Sequence, residues 1–245
     1  YLNLHAVIKG FDFTPHASPE LYREAVSFIK SDKLSLGALV TTHKIDLFKA
    51  CKDYFEGLGK YAALLDEVSS ISKLGDQLWG HAKDPITSGL SFEAITAPGY
   101  WRKSNAALHL LGAGGSSLAL TLYLINKKKD GGDVPGRIII SNRSEPRLKE
   151  MQEIHAHLDT SGINFAYILA PDPADNDAIV CRLSPGSMVV NATGLGKDRP
   201  GSPLTDTAVF PENGIVWDFN YRGDLIFMNQ ARAQQKTKNL LLEDG

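Results

Sequence analysis

Cysteine is nearly absent from this chain: Cys51 and Cys181 are the only two in 245 residues. They lie far apart and form neither a CxxC pair nor a metal-ligand spacing, so no zinc ribbon or disulfide scaffold is indicated. Two lone thiols read as small buried hydrophobes in a reducing compartment, and the expected location is cytoplasmic; a disulfide is the lesser alternative. No apolar run approaches the roughly 20 residues that a membrane span needs. Excess charge of one sign is also missing. Basic and acidic residues are interspersed and the net charge is −2, which argues against nucleic-acid partners. Repeats and low-complexity tracts are lacking.

What is present is an ordinary hydrophobic fraction of 43%, arranged in alternating elements. In the second half "AALHLLG" reads as a buried strand, "SSLALTLYLINKK" as a helix and "GRIIISN" as a strand. A helix "EPRLKEMQEIHAHLD", a strand "INFAYIL", a helix over 174–182 and the strands "SMVVNAT" and "GIVWDFN" follow. Val- and Ile-rich strands alternating with helices predict a parallel sheet covered on both faces. The first half is mixed. "LHAVIKGFDF" reads as a strand. "SPELYREAVSFIKSD" reads as a helix with Ser18 as N-cap, Pro19 first and Tyr22, Val26 and Ile29 inward. "LGALVTTHK" reads as a strand, "DLFKACKDYFEGLG" as a helix, and "EVSSISKLGDQLWGHAKD" as a hairpin turning at Gly75 and Asp76. "KKKDGGDVPG" is a solvated turn, and "TAPGYWRKSNA" is the expected linker. The expected fold class is therefore α/β in two domains, with boundaries at 1–100 and 101–245.

Between the strand and helix of "LHLLGAGGSSLALTLYL" lie Gly112, Ala113, Gly114, Gly115 and Ser116. Glycine there weakens the elements it joins, so something must need a close backbone approach. Strand, glycine loop and helix are the context of a dinucleotide fingerprint, in which the helix N-terminus receives the pyrophosphate. Ser117 stands where the third glycine of that fingerprint belongs. The next strand ends in Asn142, Arg143 and Ser144, with Arg147 one turn on. An acidic residue there would hold a ribose hydroxyl; arginine instead accommodates a 2′-phosphate, so NADP is expected rather than NAD.

These segments resemble the shikimate dehydrogenase family over nearly the whole chain. "GAGGSSLA" is similar to its GAGGxxxA loop, "SNRSEPRL" to its NRT-type phosphate clamp, and "VVNATGLG" to its NATxxG segment. "WDFNYRGDL" resembles its DxxYxPxxT segment, with Gly223 in the proline's place. "GALVTTHK" resembles GxNVTxPxK, and "GHAKDPITSG" resembles GxNTDxxG. The resemblance implies an N-terminal α/β substrate and catalytic domain, a C-terminal Rossmann-type doubly wound NADP-binding domain, and a cleft between them. It implies catalytic roles for Lys44 and Asp84, which should meet at that cleft. It places Asn191, Ala192, Thr193 and Phe219 near the cofactor, and Thr41, His43, Ser69 and Tyr221 near the substrate. Independently of any family, reducing a ketone needs a proton on oxygen, which a lysine oriented by a carboxylate can supply.

Departures from the pattern matter. Ala38 and Ala82 stand where the family has asparagine, Ser69 falls near a third asparagine, and Lys83 replaces a threonine. The interval from Asp84 to Gly89 is longer by two. The family's Ser-x-Ser carboxylate clamp would lie before Tyr1 and its glutamine-bearing helix after Gly245, so the chain is expected to be part of a larger functional unit, lacking the first strand of its N-terminal domain. The expected activity is an NADP-dependent oxidoreductase acting on a small hydroxylated, carboxylated molecule other than ordinary shikimate. A non-catalytic NADP(H)-binding sensor is the alternative, and a folate-type dehydrogenase a third. His43, His81 and Asp84 as metal ligands lack a tight motif, so no metal is expected. His155 and His157 point apart on a helix. A homodimer stays open.

Overall fold

Pro19 has no amide hydrogen and fits only the first turn of a helix. In the computed structural model, which describes residues 5–197 and 199–245, it opens α1, Pro19–Ser31, with Tyr22, Ala25, Val26 and Ile29 buried. The chain separates into two compact units, Tyr1–Asp84 and Pro85–Gly245.

In the first unit α1 is followed by β1 (Gly37–Leu39), α2 (Lys44–Cys51), β2 (Phe55–Leu58), α3 (Lys60–Leu65), β3 (Ser70–Leu74) and β4 (Gln77–His81). The sheet order is β1-β3-β4-β2. β3 runs antiparallel to both β1 and β4, and β2 runs parallel to β4. Tyr22, Val26, Phe48, Val68 and Leu78 fill the core between sheet and helices. The β3–β4 hairpin turns at Gly75 and Asp76, where Gly75 takes the positive φ of 60° that a tight turn needs.

Two expectations for this unit are corrected. Residues 5–14 carry no strand, and Val7 and Ile8 are exposed. A strand needs a hydrogen-bonded neighbour as well as alternation, and none of the described strands pairs with this segment; Leu4 lies outside the described residues. The helix expected over "DLFKACKDYFEGLG" stops at Cys51, passes through a single 3-10 turn (Lys52–Tyr54) and becomes β2. Gly57 allows this, because the Trp79 ring occupies the space where a Cβ would stand, 2.2 Å from it.

In the second unit α4 (Asp84–Ile95) and α5 (Tyr100–Lys103) precede β5 (Leu108–Leu111), α6 (Gly115–Lys129), β6 (Arg137–Asn142), α7 (Glu145–Ala156) and β7 (Asn164–Leu169). Then come α8 (Pro173–Val180), β8 (Met188–Asn191), β9 (Ile215–Asp218), α9 (Ile226–Lys238) and β10 (Leu241–Asp244). The sheet order is β10-β9-β8-β5-β6-β7, parallel at every pairing. Renumbered within the unit this is 3-2-1-4-5-6, the doubly wound dinucleotide-binding order, with its switch point between β5 and β8. The strands are buried on both faces, as Leu108, Leu110, Ile138, Ile140 and Val190 show.

The unit boundary falls 16 residues earlier than the sequence expectation, 100 against 84. The reason is packing by α4 and α5. Phe92 stacks on the buried Trp101 at 5.4 Å, and both join the core of the second sheet. The segment expected to be a linker is pinned as well: the amides of Trp101 and Arg102 donate to the Asp133 carboxylate at 3.1 and 2.8 Å. The N-terminus of a short helix is thereby satisfied by a distant side chain.

Candidate functional site

In the second unit the glycine loop leaves the C-terminal end of β5 at the switch point. Gly112 has φ +106°, and a Cβ on it would come within 3.0 Å of the Ala192 carbonyl oxygen. This glycine makes the turn and admits the neighbouring loop. Gly114 and Gly115 differ: a Cβ on either would meet nothing within 4 Å. Their open backbone and the exposed Ser116 begin α6, fifteen residues long, whose first amides have no helical partner. Such a cradle suits a pyrophosphate. Ser117 is buried, and its hydroxyl donates back to the Gly112 carbonyl. The amide of Ala113 donates to Asn142 Oδ1 at 3.3 Å, and Asn142 Nδ2 donates to the Ser144 carbonyl at 3.0 Å. Asn142 therefore ties the loop to the end of β6. Arg143 beside it is exposed, whereas Arg147 is engaged with Glu150 at 2.8 Å.

Across the switch point, Asn191 ends β8 fully buried. Its Oδ1 accepts from the Thr193 amide at 3.1 Å and from the Thr193 hydroxyl at 2.7 Å. Asn191 and Asn220 both donate to the Leu195 carbonyl. Both side chains are thus committed to shaping the loop after β8, and the Ala192 amide hydrogen-bonds to the Leu111 carbonyl at 2.9 Å. Phe219 packs edge-on against Trp217 at 4.5 Å. Tyr221 is 65% exposed, with Lys197 Nζ 5.2 Å from its ring centre.

Asp218 went unremarked in the sequence although it lies inside a quoted motif. It is fully buried at the end of β9; Oδ1 accepts from the Asn220 amide at 2.9 Å, while Oδ2 has no hydrogen-bond partner among the described residues. Burial pushes its pKa up to about 6, against the opposing hydrogen bonds. A depression of about 430 Å³, lined by Ile95, Tyr100, Asn213, Leu240 and others, lies by the starts of β9 and β10, at the end of the sheet away from the glycine loop.

In the first unit a tight turn precedes α2. The His43 amide donates to the Thr41 carbonyl, and Thr42 between them has φ +36°. Thr41 is exposed. His43 Nδ1 lies 2.9 Å from the hydroxyl of buried Tyr22, with the Phe13 ring edge-on at 6.0 Å. That clamp fixes the start of α2 and spends one nitrogen of His43. Lys44 follows, and its Nζ donates to Asp84 Oδ2. Forty positions of sequence separate the pair, and both are partly shielded, with side chains 25% and 43% exposed.

Ser69 reaches the same place by a different use. Its hydroxyl accepts from the Lys83 amide at 2.8 Å and donates to the His81 carbonyl at 3.4 Å. It holds the segment that presents Asp84. Ala82 is buried in the core. Leu39, directly before Val40 and Thr41, is exposed, whereas Ala38 packs against the core. Burial, and then the charge of Lys83, lowers the pKa of His81. Among the described residues no three His, Cys, Asp or Glu side chains converge on a metal position, and no helix is long and apolar enough to cross a membrane.

No protein-family profile matches the chain. Among characterised proteins it is 25% identical over 183 residues to the NADP(+) shikimate dehydrogenase of Streptococcus thermophilus, covering 74% of this chain and 59% of that protein. The Streptococcus suis enzyme of the same name is 27% identical over 169 residues, covering 69% and 54%. The chain therefore spans little more than half the length of these relatives. Among solved structures, a shikimate dehydrogenase in complex with NADP+ superposes with a TM-score of 0.66 at 18% identity, covering 94% of this chain and 71% of that one. The 5-ketofructose reductase of a Gluconobacter strain superposes with a TM-score of 0.59 at 17% identity, covering 90% and 70%. The sequence relatives are shikimate dehydrogenases, and the fold neighbours share the fold: the chain resembles that family in sequence and matches these structures in fold.

Proposed function

We propose that this chain carries the working parts of an NADP-dependent oxidoreductase that interconverts a ketone and an alcohol on a small hydroxylated, carboxylated substrate. The observation that carries the reading is the bond from Lys44 Nζ to Asp84 Oδ2, made between residues forty positions apart. The cofactor fits the second unit on one physical ground: Gly114 and Gly115 leave the start of α6 bare, so phosphate oxygens can approach its unpaired amides. Arg143, exposed beside Asn142, is the group that takes the 2′-phosphate. When bound, the cofactor supplies or accepts hydride.

The chain's own residues handle the proton. The Lys44 ammonium donates to the substrate oxygen in reduction and its amine accepts from the hydroxyl in oxidation. Asp84 orients the lysine through that bond. His43, clamped by Tyr22, keeps the Lys44 backbone in place.

Two fold neighbours act under different names, a shikimate dehydrogenase and a 5-ketofructose reductase. That supports a substrate outside ordinary shikimate, as do Leu39 and Ala82, which carry no amide, and Ser69, whose hydroxyl is already spent. The same three residues favour the second reading, a non-catalytic NADP(H)-binding sensor. The experiment is to follow NADPH absorbance with shikimate, quinate and related hydroxy acids, alongside NADPH titration. Turnover with any of them supports the enzyme; tight NADPH binding with no turnover across the series favours the sensor.

A further inference from the structure

Asp218 ends β9 fully buried, and the reading above gives it no task. In the parallel sheet its register neighbours are Asn191 at the end of β8 and Asp244 at the end of β10. Its Oδ1 accepts from the Asn220 amide at 2.9 Å, which closes the turn after β9. Its Oδ2 is buried with no hydrogen-bond partner among the described residues. A buried carboxyl oxygen without a donor is costly, and more so once it is charged.

Two donors stand in the same cluster, and both are in use. Asn191 Nδ2 and Asn220 Nδ2 donate to one acceptor, the Leu195 carbonyl, at 3.3 and 3.1 Å. Leu195 belongs to the loop after β8. That loop stands against the glycine loop: a Cβ on Gly112 would lie 3.0 Å from the Ala192 oxygen and 3.2 Å from Thr193 Cγ2. The need of Asp218 for a donor and the hold on this loop therefore draw on the same two side chains.

The elements around Asp218 bring few charges to it. Asp244 on β10 disfavours its ionisation, and Asp244 itself lies 3.8 Å from Arg232 of α9. β8 brings Asn191, which does not titrate. The buried side chains of α9 are Phe227, Met228 and Ala231. Arg222 and Asp224 on the loop after β9 and Arg199 on the loop after β8 are exposed, and Lys197 is half-buried. Burial is the main reason that the group titrates at about 6, against the hydrogen bonds from Asn220 and Asn191.

We propose that Asp218, Asn191 and Asn220 form a pH-responsive latch on the loop after β8: when Asp218 gives up its proton to water, Oδ2 takes an asparagine amide from the Leu195 carbonyl and loosens the loop that packs against Gly112. A charge-assisted hydrogen bond outcompetes a neutral one, so the exchange runs in that direction. With Asp218 neutral, both amides stay on Leu195 and the loop is held. The consequence for cofactor rests on the reading of the second unit as NADP-binding: NADPH binds the latched form more tightly.

The test follows the whole chain by nuclear magnetic resonance between pH 5 and 8. The Asp218 carboxyl carbon should titrate with a midpoint of about 6, and the Thr193 and Leu195 amides should shift with the same midpoint. Asp218→Asn keeps Oδ1 and matches the neutral acid in shape, so its loop amides should not move with pH. Loop amides that stay still while the carboxyl titrates, or a carboxyl that does not titrate in this range, overturn the proposal in the wild-type protein alone. So do amides that move equally in Asp218→Asn. NADPH titrations at pH 5.5 and 7.5 should then show an affinity loss about 5-fold larger in the wild type than in Asp218→Asn; ionisation of the nucleotide's own phosphate affects both proteins alike. A latch seen in the amides without that difference in NADPH affinity upholds the latch and removes the loop from the cofactor site.

Discussion

The Ser117 hydroxyl donates to the carbonyl of Gly112, five residues earlier and across the turn between β5 and α6. The contact explains how a serine replaces the third glycine of the fingerprint. Its side chain is small enough to be buried where the helix meets the sheet, and its polar atom is satisfied by the very loop it supports. The loop is braced from both sides, by Ser117 and by Asn142.

The glycines of that loop should separate fold from binding. Gly112→Ala places a Cβ 3.0 Å from the Ala192 oxygen at a φ of +106°. It should lower stability by about 1–3 kcal/mol in chemical denaturation. A Cβ on Gly114 meets nothing within 4 Å, so Gly114→Val should fold normally and lose NADPH affinity. Wild-type affinity in a folded Gly114→Val protein would remove the loop from the site.

Arg143 and Arg147 should differ as cofactor selectors. Arg143 is exposed, whereas Arg147 is paired with Glu150. Arg143→Ala should weaken NADP by about 1.5–3 kcal/mol, the worth of a charge-assisted hydrogen bond, and leave NAD little changed. Arg147→Ala should do less. Titration calorimetry with both nucleotides decides it; equal losses for NADP and NAD would make Arg143 a structural residue.

Lys44→Ala should lower turnover by roughly 10²–10⁴-fold, the usual worth of general acid–base catalysis. Its NADPH affinity should be unchanged, because the glycine loop lies in the other unit. Asp84→Asn should lose less, since the amine remains. Full turnover without Lys44 would end the mechanism.

Two buried histidines set the acid limit of the fold. His109 is sealed in β5 with one nitrogen on Ser141, and burial pushes its pKa down to about 3. His155 sits between Thr121 and Tyr167, at 2.9 and 2.7 Å, and burial pushes it down to about 4. Below pH 6.5 the unfolded chain takes up protons that the folded chain refuses, so stability falls as pH falls from about 6.5 toward those values. Each histidine contributes about 1.4 kcal/mol per pH unit in that window. Asp218, held near 6, acts with the opposite sign between about pH 6 and 4. His155→Gln should flatten the net slope between pH 6.5 and 5 by about 1.4 kcal/mol per unit. Denaturation at a series of pH values measures it, and an unaltered slope would show that His155 does not titrate on unfolding.

The parallel sheet of the second unit was legible because buried strands and helices alternate there in regular lengths, and the glycine loop stood where a strand met a helix. The first unit was less so. "LHAVIKGFDF" has the alternation of a strand, but alternation cannot say whether a neighbour exists. "DYFEGLG" hid β2 because the glycine that permits it is explained only by the distant Trp79. Lys44 and Asp84 could be named from motifs. The bonds of the Ser69 hydroxyl were not legible, since its neighbours in space, Lys83 and His81, are set by the hairpin register.

The Lys44–Asp84 bond is closed within the first 84 residues, and the glycine loop with its Asn142 brace within the rest. Each half of the proposed chemistry is therefore built from one unit alone. On the proposed reading, a change around Arg143 would alter the choice of nucleotide without disturbing the lysine, and a change at Leu39, Ser69 or Ala82 would alter the choice of reactant without touching the glycine loop. Either could then occur in a single step that leaves the other unit in working order.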